Sequence, residues 1–279
     1  MAFETILSCT ELNLNLSRKD WVIVDCRFDL AAPDWGYAEY QQLHIPGAVY
    51  ADLDKDLSGK KTPHTGRHPL PEPVDFCAAM SRLGISNDTQ VIVYDATSGS
   101  FAARLWFMLK LYGHSAVALL DGGFPAWYKA GLLIESGSNV NVPRNFSGQP
   151  DQNMIVTTTE MEKFYTNPDW LMIDARSAER FRGEQEVIDP VAGHIPNAVN
   201  RFHGLNVDAN GLFLPKEQLQ KAFSELTQGF ATERTVVYCG SGVTSCHHLV
   251  SMAYAGLPLP RLYAGSWSEW ISDPKRPIG

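Results

Sequence analysis

The first half of this chain is written again in the second. Trp21-Val-Ile-Val-Asp25-Cys-Arg27, an apolar run closing on an acid and a base, returns as Trp170-Leu-Met-Ile-Asp174-Ala-Arg176. About twenty residues after each acid comes a near-identical turn, His44-Ile-Pro-Gly-Ala48 and His194-Ile-Pro-Asn-Ala198. Proline fixes the backbone there, and glycine or asparagine tolerates a positive φ. Val91-Ile-Val-Tyr-Asp95 pairs with Thr235-Val-Val-Tyr-Cys239, both β-branched runs with the length of a buried parallel strand. Asp121-Gly-Gly-Phe-Pro-Ala-Trp127 pairs with Ala264-Gly-Ser-Trp-Ser-Glu-Trp270, with glycines and tryptophans in register. Four matches in one order at similar spacing indicate a duplicated domain rather than a short solenoid repeat.

A length of 279 residues gives each copy an ordinary domain size. The expected boundaries are an N-terminal domain over 1–135, a linker over 136–151 that is polar and rich in turn formers, and a C-terminal domain over 152–279. Strand-like runs alternate with helical patterns such as 101–112 and 215–226, so each half is expected to be α/β, a parallel sheet flanked by helices. The formal charge of −8 argues against nucleic acid and anionic membrane as partners, because both require a basic surface. No basic start followed by an apolar core opens the chain and no apolar run is long enough to span a bilayer, so a cytoplasmic location is expected. Cys9, Cys26, Cys77, Cys239 and Cys246 are odd in number and scattered, which fits neither a disulfide framework nor a zinc site.

Where two copies share a scaffold, function is sought where equivalent positions diverge. The sharpest divergence is Asp95 against Cys239 at the end of the same strand. Cys239 opens Cys239-Gly240-Ser241-Gly242-Val243-Thr244, a small flexible segment followed by a helical pattern over 245–255. A strand-to-helix loop can curl its backbone N–H groups round one point at a helix N-terminus, favouring a thiolate or an anionic persulfide there. Cys239 read alone fits equally well as a buried cysteine ending a strand. The glycines favour function, since they are best explained where backbone must turn sharply or approach a ligand.

With these residues the sequence resembles the rhodanese family, specifically its tandem-domain sulfurtransferases, along essentially the whole chain. Tyr40-Gln-Gln-Leu-His44-Ile-Pro-Gly-Ala48 looks like the family's N-terminal signature and Tyr263-Ala-Gly-Ser-Trp-Ser-Glu-Trp270 like its C-terminal one. Cys239-Gly-Ser-Gly-Val-Thr resembles the active loop of its 3-mercaptopyruvate sulfurtransferase branch. The resemblance implies a non-catalytic N-terminal domain, a catalytic C-terminal domain and an active site in the cleft between them. It implies a two-step transfer in which Cys239 becomes a persulfide and a thiol such as thioredoxin, a low-molecular-weight thiol, or cyanide removes the sulfur. No metal or organic cofactor is implied. The thiosulfate branch typically carries basic residues after its cysteine; Gly240 and Ser241 stand there instead, which favours mercaptopyruvate, with one carboxylate, over the thiosulfate dianion.

The resemblance further implies a Ser241, His68 and Asp54 relay that delivers a proton as the C–S bond breaks, and Arg180 as the clamp on the donor carboxylate. Gly240, Gly242, Val243 and Thr244 complete the expected binding loop. Without the resemblance, His68 reads as a loop residue, Asp54 as a cap and Arg180 as half of a structural ion pair. A second substrate arginine expected after Arg180 has no counterpart in 184–191, leaving Arg182 or Arg67 as substitutes.

Other readings carry less. His44 and His194 recur in both halves, including the one without a nucleophile, and read as structural; Asp25, Arg27, Asp174 and Arg176 read as scaffold ion pairs. His247 and His248 are helical neighbours facing different ways, a poor metal pair, and Cys246 reads as packing. Phosphatases that share this architecture need an arginine closing a Cys-x5-Arg loop, and Ser245 occupies that position. A thiosulfate:cyanide sulfurtransferase is the runner-up, and a non-catalytic sulfur-relay module is less favoured, since such modules are usually single domains.

Overall fold

Each half of the chain folds on one five-stranded parallel sheet, and the two sheets share a topology. The computed structural model describes residues 2–279. In the first half β1 (Ile6–Leu7), β2 (Trp21–Asp25), β3 (Val49–Tyr50), β4 (Gln90–Tyr94) and β5 (Val117–Leu120) lie in the order β1-β5-β4-β2-β3. In the second, β6 (Ile155–Val156), β7 (Leu171–Asp174), β8 (Val199–Asn200), β9 (Thr235–Tyr238) and β10 (Arg261–Tyr263) repeat it as β6-β10-β9-β7-β8. Helices flank both sheets: α1 (Cys9–Asn15), α2 (Trp35–Gln42), α3 (Pro73–Arg82), α4 (Ala102–Leu111) and α5 (Gly123–Lys129), then α6 (Thr158–Phe164), α7 (Ala178–Phe181), α8 (Lys216–Leu226), α9 (Cys246–Tyr254) and α10 (Ser266–Trp270).

The central strands read as unbroken apolar runs because both their faces are covered. Ile23, Ile92, Tyr94, Ala118, Leu120 and Trp127 form one core; Met172, Val236, Tyr238, Tyr263, Trp267 and Trp270 form the other. Each large side chain taken from water stabilises its unit by roughly 1.5–3 kcal/mol. α1 and α6 begin with the same reciprocal capping box, Ser8 with Glu11 and Thr157 with Glu160, which satisfies N-terminal amides that would otherwise go unpaired.

The repeated acid and base form matching buried pairs. Arg27 donates to Asp25 at 2.7 Å and to the Leu43 carbonyl at 2.7 Å; Arg176 donates to Asp174 at 2.7 Å and to the Gly193 carbonyl at 2.7 Å. Each guanidinium lies over an aromatic ring, Phe124 or Trp267. The pairs hold the strand ends to the turns that follow. Those turns take the positive φ their residues allow, 74° at Gly47 and 65° at Asn197.

The compact units do not simply follow the two halves of the sequence. The first comprises 1–59, 71–150 and 207–213; the second comprises 60–70, 151–206 and 214–279. The polar stretch after Glu135 packs with the first unit: Asn139 N–H donates to Tyr40 Oη, Arg144 N–H to the Ser81 carbonyl, and Phe146 is buried. Residues 60–70, from the N-terminal half, therefore bring His68 into the second unit. No helix among the described residues is long and apolar enough to cross a membrane.

Candidate active site

β9 ends at Tyr238 and α9 begins at Cys246, and the seven residues between them form a tight loop that opens on Cys239. Three bonds fix its start: Cys239 N–H donates to Ser266 Oγ at 3.1 Å, and the Cys239 and Gly240 carbonyls accept from Trp267 and Ser268 N–H at 3.0 and 2.9 Å. Gly242 takes φ 73°, and a Cβ there would run into the Ala264 carbonyl, so glycine is required twice over. Ser266 itself lies at φ 55°, an uncommon conformation for a residue with a Cβ, and its Oγ both receives the Cys239 amide and donates to the Tyr263 carbonyl.

Cys239 is 1% exposed. Burial pushes its thiol up, but the side chains of Ser245 and Thr244 and the backbone of Ser241 and Ser245 favour the thiolate strongly enough to bring the thiol below its ordinary value. The loop is built to hold negative charge at one atom.

The equivalent loop of the first unit shows the same preference with a permanent occupant. Asp95 Oδ1 accepts from Thr97 and Gly99 N–H at 2.7 and 2.9 Å, and Oδ2 from Phe101 and Ala102 N–H at 2.7 and 2.9 Å. Four amides thus close on a fully buried carboxylate where the second unit has its cysteine.

Residues 60–70 are tied down beside the Cys239 loop. Gly66 N–H donates to Glu269 at 3.2 Å, Arg67 N–H to Ser268 Oγ at 3.0 Å, and His68 Nδ1 lies 2.8 Å from Ser241 Oγ, with both residues buried. Asp54 belongs to the first unit, in the turn after β3, where its N–H donates to Asp52 Oδ1 at 2.9 Å.

Arg180, at the end of α7, donates through Nε to Glu186 at 3.0 Å and through Nη2 to Asp189 at 2.9 Å. Arg67 grips the other oxygen of Asp189. Both arginines border the loop: a Cβ built on Gly240 would lie 2.9 Å from Arg67 Nη2 and 3.6 Å from Arg180 Nη2. Arg67 Nε is buried without a partner. Arg182, the other substitute raised by the sequence, pairs with Glu184 and is exposed. Burial pushes the Asp189 carboxyl up against the pull of Arg67 and Arg180. Glu186 is also pushed up by burial, but Arg180 and two backbone amides outweigh this and hold it below its ordinary range.

Nearby polar residues have structural partners. Asn206 Nδ2 reaches Nδ1 of both His247 and His248, at 3.1 and 2.9 Å, and His248 Nε2 lies 2.8 Å from the Arg201 carbonyl. His44 and His194 occupy equivalent turns, stacked on Tyr40 and Phe181. Cys246 points back to the Gly242 carbonyl at 3.4 Å. The sequence reading passed over Asp189, Ser245 and Ser266. Ser266 had a visible signal, since it stands where the first copy has Gly123, at φ 58°.

A family described as "Rhodanese-like domain" matches the chain twice, at 8–130 and 157–273. A Pseudomonas aeruginosa protein named "Probable 3-mercaptopyruvate sulfurtransferase" is 46% identical over 280 residues, covering 100% of this chain and 99% of that one. Thiosulfate/3-mercaptopyruvate sulfurtransferase 2 of Arabidopsis thaliana is 30% identical over 305 residues, covering 99% and 86%. Among solved structures, 3-mercaptopyruvate sulfurtransferase from Leishmania major superposes with a TM-score of 0.85 at 31% identity, covering 96% of this chain and 74% of that one.

Proposed function

The chain belongs to the rhodanese family, with two copies of its domain in tandem, and on that premise we propose a sulfurtransferase that takes sulfur from 3-mercaptopyruvate onto Cys239 and passes it to a thiol or to cyanide. The observation that carries this reading is a fully buried cysteine at the head of a loop whose copy in the first unit closes four backbone amides on the Asp95 carboxylate. In the first step the thiolate attacks the donor sulfur, the S–S bond forms, and the donor C–S bond breaks with its electron pair passing to carbon. The resulting enolate takes a proton and leaves as pyruvate.

Ser241 and His68 form the hydrogen-bonded pair assigned to that proton. Asp54 as the third member rests on the family resemblance, and Asp54→Asn tests it. Arg180 and Arg67 together receive the donor carboxylate, Arg67 taking the place of the second arginine missing after Arg180. Charge balance favours a monoanionic donor: Arg67, Arg176 and Arg180 face Asp174, Glu186 and Asp189, one carboxylate for each guanidinium. A dianion finds little surplus positive charge there. Thioredoxin or a low-molecular-weight thiol as the acceptor, and a cytoplasmic location, belong to the same proposal; none of the five cysteines is in a disulfide.

The test compares pyruvate release from 3-mercaptopyruvate with thiocyanate formation from thiosulfate, in the parent and in Cys239→Ser, while mass spectrometry follows the gain of one sulfur at Cys239. A hundredfold preference for mercaptopyruvate, about 2.7 kcal/mol of transition-state discrimination, is expected. Preference for thiosulfate would overturn the donor assignment, and turnover by Cys239→Ser would overturn the carrier.

A further inference from the structure

Ser245 is fully buried at the N-cap of α9, and its Oγ makes no hydrogen bond to any nitrogen or oxygen. A serine at an N-cap ordinarily accepts from an amide two or three residues on. Ser245 makes no such bond, so capping does not account for its hydroxyl. Burying a hydroxyl with nothing to bond is costly. A hydroxyl kept in that state suits a partner that changes during the reaction, and Cys239, at the other end of the loop that Ser245 closes, carries the sulfur whose negative charge the Ser245 hydroxyl and N–H favour.

We propose that Ser245 donates its hydroxyl hydrogen to the Cys239 sulfur whenever that sulfur is a thiolate, and that the bond acts chiefly on discharge of sulfur to the acceptor. This rests on the reading of Cys239 as the sulfur carrier. On charging, Sγ becomes the inner, neutral sulfur of the persulfide, and the hydrogen bond weakens as the negative charge moves outward. On discharge, the acceptor thiolate attacks the outer sulfur and a new S–S bond forms to the acceptor. The Sγ–S bond breaks, and its electron pair returns to Sγ, which leaves as a thiolate and regains the bond from Ser245. A less basic leaving thiolate departs faster, whereas as an attacking group it is less nucleophilic. Removing the hydroxyl should therefore slow discharge, while charging, compared where the thiol is fully ionised, should not slow.

Ser245→Ala and Ser245→Gly both remove the hydroxyl and neither breaks a capping bond; Ser245→Thr keeps it. The titratable and charged groups around the loop, His68 on Ser241, Arg67, Arg180 and Asp189 beside Gly240, and His247 on α9, stay in place in all three. The experiment charges each protein, confirms one added sulfur at Cys239 by mass, and follows single-turnover discharge to a small thiol. It also measures Cys239 alkylation by iodoacetamide against pH. Discharge about tenfold slower in Ala and Gly, an alkylation midpoint about one unit higher, and recovery in Thr are expected. Parent-like discharge and midpoint in Ala and Gly would overturn the role of Ser245 while leaving Cys239 as carrier. A parent protein that gains no sulfur at Cys239 would overturn the carrier reading and this inference with it.

Discussion

His68 Nδ1 and Ser241 Oγ stand 2.8 Å apart, although 173 positions separate the two residues in the chain. Ser241 is fixed by the sharp loop after β9, and His68 by the hydrogen bonds of Gly66 and Arg67 to α10. The proton transfer proposed for this pair matters where a carbanion must be quenched and is idle where none forms. Ser241→Ala and His68→Gln should each lower kcat with 3-mercaptopyruvate by about 10²–10⁴-fold, with thiosulfate turnover far less affected. The double variant should be little worse than either single one, because the residues act as a unit. Steady-state rates with both donors check this.

Arg67 and Arg180 share Asp189. Losing one charge-assisted hydrogen bond to a carboxylate costs about 1.5–3 kcal/mol, so Arg67→Gln or Arg180→Gln should raise the KM for mercaptopyruvate at least about tenfold. Asp189→Asn removes a negative charge from between them and should shift the donor ratio toward thiosulfate. An unchanged ratio in that variant would sink the charge-balance argument.

Two glycines in one loop should fail differently. At Gly240 an added Cβ meets the mobile end of Arg67 at 2.9 Å. Gly240→Ala should therefore fold with stability changed by less than about 1 kcal/mol, and lose donor affinity as Arg67 is pushed aside. At Gly242 the obstruction is backbone and φ is 73°. Gly242→Ala should cost at least about 1–3 kcal/mol in urea unfolding, whatever its activity.

Complete burial holds His248 neutral, with its proton affinity pushed well below the ordinary value of 6.5, and Arg201, His203 and His247 add to the shift. The unfolded chain takes up a proton there as pH falls below 6.5 while the folded protein does not, so stability is lost toward acid. His248 alone contributes a slope of up to about 1.4 kcal/mol per pH unit below that point. His114, also depressed by burial, acts in the same direction. Urea unfolding of the parent and His248→Gln from neutral to mildly acid pH should show a shallower decline in the variant.

The fold was legible because duplication supplies an internal alignment. Val91-Ile-Val-Tyr-Asp95 and Thr235-Val-Val-Tyr-Cys239 mark the same strand in both sheets, and the Asp–Arg pairs and turn histidines follow in register. The loop after Cys239 was readable from its glycines. The partners of Arg180 were not: Asp189 lies in a stretch without periodicity, and its meeting with Arg67 depends on where residues 60–70 pack, which no local pattern encodes. Ser245 was legible as a residue type but not as a buried donor, because exposure and hydrogen-bond state are properties of packing. The exchange of 60–70 and 207–213 between units was equally hidden, since each segment is an ordinary polar loop in sequence.

The carboxylate of Asp95 never leaves its ring of amides, whereas under the function proposed for Cys239 the matching cradle carries full charge for only part of each cycle. One copy of the fold is thus permanently furnished with its counter-charge, and the other borrows it from its own thiolate and its cargo. Under that proposal the heat tolerance of the second unit follows its cargo: sulfur-loaded protein should melt later than the same protein kept protonated and empty, so that donor supply would set how robust the chain is as well as how fast it turns over.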